Sequence, residues 1–89
     1  MAENLFDLLK KGDVEQFNQE IANCQDDLTE SDFSGVETDG ASFKDQDLSG
    51  SNFSEANLSN VSFESADLTS ATFARAELSG VNFNNAILN

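Results

Sequence analysis

The chain has 89 residues, enough for one small domain with a limited core. Seventeen acidic against four basic residues give a formal charge of −13, which argues against a nucleic-acid ligand or an anionic membrane and suits a basic partner or simple solubility. There is no His, so an imidazole base and any Ser-His or Cys-His pair are excluded.

The opening stretch MAENLFDLLKKGDVEQ has an acid at position 3, and its lysines follow a short apolar run. It reads as neither a secretory signal nor a membrane span, and the single cysteine, Cys24, has no internal disulfide partner. A cytoplasmic protein is the resulting expectation. Residues 1–25 read as two short amphipathic helices. Leu5, Leu8 and Leu9 share one face, and Lys10 and Lys11 followed by Gly12 make a helix stop. Asp13 and Gln16 have capping-box spacing, and Val14, Phe17 and Ile21 form the second stripe.

From residue 26 the helical period gives way to a period of five. The units run DDLTE, SDFSG, VETDG, ASFKD, QDLSG, SNFSE, ANLSN, VSFES, ADLTS, ATFAR, AELSG, VNFNN and AILN. The third position is Leu or Phe in twelve of thirteen units, Thr38 being the exception. Neither a helix nor a flat strand places an apolar residue at every fifth position. A coil of four short sides does, with one unit per side, the third residue inward and the polar residues in water. Residues 20 apart then stack at the strand spacing of about 4.8 Å.

This register predicts four inner columns. One holds Leu28, Leu48, Leu68 and Leu88, and the opposite one Thr38, Leu58 and Leu78. Phe33, Phe53 and Phe73 form the third, and Phe43, Phe63 and Phe83 the fourth. The alternation of Phe and Leu with period ten thus places like upon like. The same register sets Lys44 beside Glu64 and Arg75 beside Glu55, each pair exposed and worth at most about 1 kcal/mol.

Units such as ANLSN, ADLTS and AELSG resemble the pentapeptide-repeat family. The resemblance covers roughly residues 26–89 and implies an all-β solenoid, a right-handed quadrilateral β-helix of about three coils. Residues 1–25 then form an N-terminal helical-hairpin cap, of the kind that repeat solenoids need at their ends. Asp26, Ser31, Gln46 and Ser51 depart from the pattern, standing where the family has a small apolar residue.

No catalytic constellation, cofactor site or metal motif stands out. Cys24 reads as a half-buried structural thiol. Asp27, Asp47 and Asp67 form an outward column, compatible with a shared Ca²⁺ or with a plain acidic face. Without a calcium-loop pattern, the acidic face is the simpler reading. The expected role is a non-enzymatic protein-interaction or scaffold module with a rigid acidic surface. The resemblance also implies an alternative, because some pentapeptide-repeat proteins mimic B-DNA and bind type II topoisomerases such as DNA gyrase. About 15 Å of solenoid is short for a duplex mimic, whose reader spans about 34 Å. At the other end Ile87 takes an outward position that is polar in other units. With Phe83 and Leu88 it suggests an apolar end surface and a tail-to-tail homodimer.

Overall fold

The computed structural model describes residues 5–23 and 28–88. Cys24, Asp26 and Asp27 lie outside the described residues. Helix α1 spans Leu5–Lys11 and α2 spans Val14–Ala22. Strands β1 (Glu37–Asp39) and β2 (Asn57–Ser59) are short and pair in parallel.

The helical hairpin forms where local chemistry directs it. Gly12 takes φ +80°, and its N–H donates to Leu9 O while Asp13 N–H donates to Leu8 O, both at 3.0 Å. These two bonds close α1 as a Schellman turn. Asp13 caps α2 by accepting from Gln16 N–H at 3.2 Å. The capping box expected from Asp13 and Gln16 is only half formed, because the Gln16 amide turns forward to Glu20 at 2.8 Å. Leu8, Leu9, Phe17 and Ile21 are buried.

Beyond residue 28 the chain winds once every 20 residues. In the β1–β2 ladder Glu37 pairs with Asn57, Thr38 with Leu58 and Asp39 with Ser59. Parallel bridges repeat the same offset at Asp32–Asn52, Ser42–Ser62, Asp47–Asp67, Asn57–Glu77 and Ser62–Asn82. Tight turns make the corners: the first residue of a unit donates to the carbonyl three residues back, as in Val36→Phe33, Ala56→Phe53 and Ala71→Leu68. Such a turn demands a left-handed residue just before the donor. Every fifth residue from Glu30 to Asn85 supplies it, with φ between 57° and 85°. Eight of these are not glycine.

The inward positions fill the coil. Phe43, Leu48, Phe53, Leu58 and Phe63 are fully buried, as are Val61 and Ala66 at the corners. Phe33, Phe53 and Phe73 lie face on face at 5.2 Å, within 10° of parallel. Phe43, Phe63 and Phe83 stack likewise at 5.2 and 5.5 Å, within 13° of parallel. The two columns meet edge to face, with centroids 5.4–6.1 Å apart, the geometry aromatic quadrupoles favour. The helices extend both columns downward, Phe6 against Phe33 at 6.1 Å and Phe17 edge-on to Phe43 at 5.3 Å.

The last winding is less enclosed. Phe73, Leu78 and Phe83 are half-buried, and Leu88, expected among the core columns, is 58 % exposed. No described residue lies beyond it to cover it.

Candidate interaction surface

The outward side chains are held by the backbone they decorate. The second residue of a unit is often Asp or Asn, and its Oδ1 accepts the N–H of the fourth residue. Asp32–Ser34, Asp47–Ser49, Asn52–Ser54, Asn57–Ser59, Asp67–Thr69 and Asn82–Asn84 all do so, at 2.9–3.2 Å. Where the fourth residue is Ser or Thr its hydroxyl often donates to the same oxygen, as Thr69 does to Asp67 at 2.6 Å. These are Asx turns, which fix the side chain without tertiary partners. They also favour the charged carboxylate. The Thr69 hydroxyl and then its N–H hold the Asp67 carboxyl below the usual aspartate range, and Ser34 does the same to Asp32.

Of the acidic column, Asp47 and Asp67 bridge neighbouring windings, and the column continues to Ile87. Among the described residues no group of three or more His, Cys, Asp or Glu stands close enough to hold a metal ion. The two basic residues of the repeats sit where the register puts them. Lys44 Nζ lies 4.0 Å from Glu64 and the Arg75 guanidinium 3.7 Å from Glu55. A shallow open depression of about 240 Å³ lies on the β1–β2 side, lined by Glu37, Thr38, Asp39, Asn57 and Ser59. Asn60 crosses its edge to donate to Asp39 at 3.0 Å.

Charge is distributed unevenly along the rod. Thirteen of the seventeen acids, and three of the four bases, lie in residues 1–47, leaving −10 there and −3 in residues 48–89. Among the described residues, ten acids and three bases lie in 5–47 against four acids and one base in 48–88, so their negative charge is denser at the helical end and first winding. The periodic pattern conceals this asymmetry, but a count of acids per winding reveals it.

Of the departures from the repeat, Ser31, Gln46 and Ser51 make side-chain hydrogen bonds near that end. Asn18 of α2 donates to Gly40 O at 3.2 Å and accepts from Ser42 N–H at 2.8 Å. Its carboxamide thus serves the edge that a preceding winding would serve. Gln46 reaches Ile21 O at 3.4 Å. The hydroxyls of Ser31 and Ser51 donate to Leu28 O at 2.8 and 3.2 Å. Of these polar replacements, Gln46 meets a helix and the two serines tie down the carbonyl of Leu28.

A family model described as "Pentapeptide repeat region" matches residues 20–89. The chain belongs to the pentapeptide-repeat family, and its fold is β-helix-like. It is also similar to a solved structure, a pentapeptide repeat protein from the thylakoid lumen of Arabidopsis thaliana, with 42 % identity and a TM-score of 0.66. That match covers 67 % of this chain and 41 % of the neighbour, so this chain spans well under half of the neighbour's length. No curated protein matches the chain.

The neighbour overturns the expectation of a cytoplasmic protein, since the thylakoid lumen is not cytoplasmic. The physical basis of that expectation was weak. A coil held by stacked Phe and Leu needs no disulfide, so a lone cysteine says nothing about compartment.

Proposed function

We propose that this chain is a non-enzymatic protein-interaction or scaffold module. In this reading it is a right-handed quadrilateral β-helix of about three coils, closed at its N-terminal end by the helical hairpin. It takes no cofactor and presents a rigid acidic surface to a basic protein partner. The observation that carries the reading is the charge gradient, because a field concentrated at one end both attracts and orients a partner. The Asx turns add rigidity, so little side-chain freedom is lost on docking. Among the described residues the interior of the coil is filled by apolar side chains, which suits a binding surface on its outside.

Neutralising Glu37, Asp39, Asp45 and Asp47 to their amides tests this. Partners captured quantitatively by the wild-type chain should be lost to that variant. They should be kept by one with Glu55, Glu64 and Glu77 changed to Gln. Binding should also weaken as salt rises from about 0.1 M to about 1 M, where the screening length falls from about 10 to about 3 Å. Equal capture by both variants would remove the acidic end from the account.

The DNA gyrase alternative has less support, because the third winding carries one acid, Glu77, against one base, Arg75. A duplex mimic needs charge along its whole length. A stoichiometric effect on gyrase supercoiling that fades when Asp47 and Asp67 become Asn would reinstate it.

A further inference from the structure

Of the five glycines, Gly40 alone follows an aspartate, and none follows an asparagine. An Asp–Gly bond is the one most open to attack by the main chain on its own side chain, because a residue without Cβ leaves its nitrogen unshielded. Asp39 ends β1, and both residues are exposed, so water reaches them. The corner is nevertheless held at three points. The Gly40 N–H donates to Ser59 O at 3.0 Å, and the Gly40 carbonyl accepts from the Asn18 amide at 3.2 Å. The Asp39 carboxylate accepts from Asn60 Nδ2 at 3.0 Å. Asn60 is itself wedged in place. Its Oδ1 occupies the space that a Cβ on Gly80 would take, one winding on, and its N–H donates to Ser79 O at 2.8 Å.

We propose that Asp39–Gly40 is a site of spontaneous isoaspartate formation, and that Asn60 guards it by keeping this corner closed. In the reaction the Gly40 nitrogen attacks Cγ of the protonated Asp39 carboxyl. An N–Cγ bond forms, a Cγ–O bond breaks, and the hydroxyl leaves as water with the amide proton. Water then adds to one carbonyl of the five-membered ring and breaks its bond to nitrogen. Addition at Cγ restores aspartate. Addition at the main-chain carbonyl gives isoaspartate, with no change of mass or oxidation state. The folded corner blocks the first step twice. The hydrogen on the Gly40 nitrogen is committed to Ser59. Parallel-strand geometry, with ψ at about +115°, also turns that nitrogen away from the Asp39 side chain. Conversion therefore proceeds through molecules in which this corner has opened. The product carries one extra main-chain carbon in a unit whose length sets the pairing of Asp39 with Ser59. It thereby loosens the corner that protected its precursor. None of this chemistry requires a partner for the acidic surface.

Incubation of the full chain, folded and guanidinium-unfolded, at one pH and temperature tests it. Electron-transfer mass spectrometry of its peptides locates isoaspartate, and methylation by a protein isoaspartyl methyltransferase counts it. In the unfolded chain isoaspartate should accumulate at residue 39 ahead of every other aspartate. In the folded chain it should form there at least about tenfold more slowly. Asn60→Gly removes the carboxamide and suits the left-handed corner at φ 57°. It should raise the folded rate about 2- to 12-fold, the effect of losing one hydrogen bond. Ser65→Gly, a like exchange at a corner of another column, should leave the rate unchanged. Equal rates in the folded and unfolded chains overturn the proposal, as does the absence of isoaspartate at residue 39 from both. So does an Asn60→Gly rate equal to wild type, or an equal rise with Ser65→Gly.

Discussion

Phe53 lies flat against Phe73, 20 residues on, with centroids 5.2 Å apart and planes within 5°. The same ring stacks on Phe33 below and meets Phe43 and Phe63 edge-on. Phe53 is fully buried and touches aromatic neighbours on four sides, so its truncation leaves a cavity that the stiff columns cannot close. Phe53→Ala should cost about 3–5 kcal/mol. Phe83→Ala should cost clearly less, because Phe83 is half-buried and has a stacked ring on one side alone. Urea unfolding midpoints of the two variants, at unchanged m, check the ordering.

Thr38 takes the place of Leu beneath Leu58, and its Oγ1 is buried without a hydrogen-bond partner. An unpaired buried hydroxyl costs free energy that a methyl group does not. Thr38→Val should therefore stabilise the chain by about 1 kcal/mol, read as a higher melting temperature. Loss of stability would mean that the hydroxyl has a partner in solution.

Asn18 makes two backbone hydrogen bonds to the first winding, at Gly40 and Ser42. Asn18→Ala should cost about 1–3 kcal/mol. Amide exchange should accelerate at Ser42, which loses its acceptor, and be unchanged at fully buried Phe63, which donates to Asn82 of the next winding, far from Asn18.

Left-handed corners make opposite predictions for opposite substitutions. Ser65 sits at φ 60° and Gly80 at φ 73°. Ser65→Gly relieves the Cβ strain and should raise stability by up to about 1 kcal/mol, after the entropy that glycine adds to the unfolded chain. Gly80→Ala brings its Cβ against the Asn60 amide oxygen as well as straining the backbone. It should destabilise by about 1–2 kcal/mol. Thermal melts of the pair decide the sign of each.

The Asp67 carboxyl is held low by Thr69, so it retains its charge in the folded chain at pH values where the unfolded chain has taken up a proton. Its contribution to stability is present above the ordinary aspartate value of 3.8 and is lost as pH falls through the lower folded value. Carbon-detected NMR titration should place the Asp67 midpoint below 3.8. Thr69→Val, which removes the hydroxyl and leaves the N–H, should move it upward. An unchanged midpoint would show that the hydroxyl does not set it.

Much of this architecture is legible in the residues themselves, because large apolar side chains at every fifth position have few places to go. Leu48, Phe53, Leu58 and Phe63 announce the 20-residue register directly, and Lys44 with Glu64 repeats it in charge. The left-handed corners are hidden. Gly35 and Gly50 signal them, but Ser65, Arg75 and Glu55 in the same conformation look like ordinary surface residues. Asn18 is equally silent in the sequence, since a polar residue on a short helix reads as solvent-facing until the edge beside it is seen. Leu88 misleads in the other direction: the period places it inside, yet an inward position becomes interior only when another winding covers it. The acidic surface is half legible, with the sign of the charge plain from composition and its concentration at one end apparent once residues are assigned to windings.

The charge pairs, the aromatic columns and the parallel bridges all follow from the 20-residue register. Solution NMR measures it directly, through contacts between backbone protons of residues 20 apart. The account predicts such contacts for Asp47–Asp67, Asn57–Glu77 and Ser62–Asn82 alike. Contacts at another spacing, or none between these pairs in a folded chain, would contradict it.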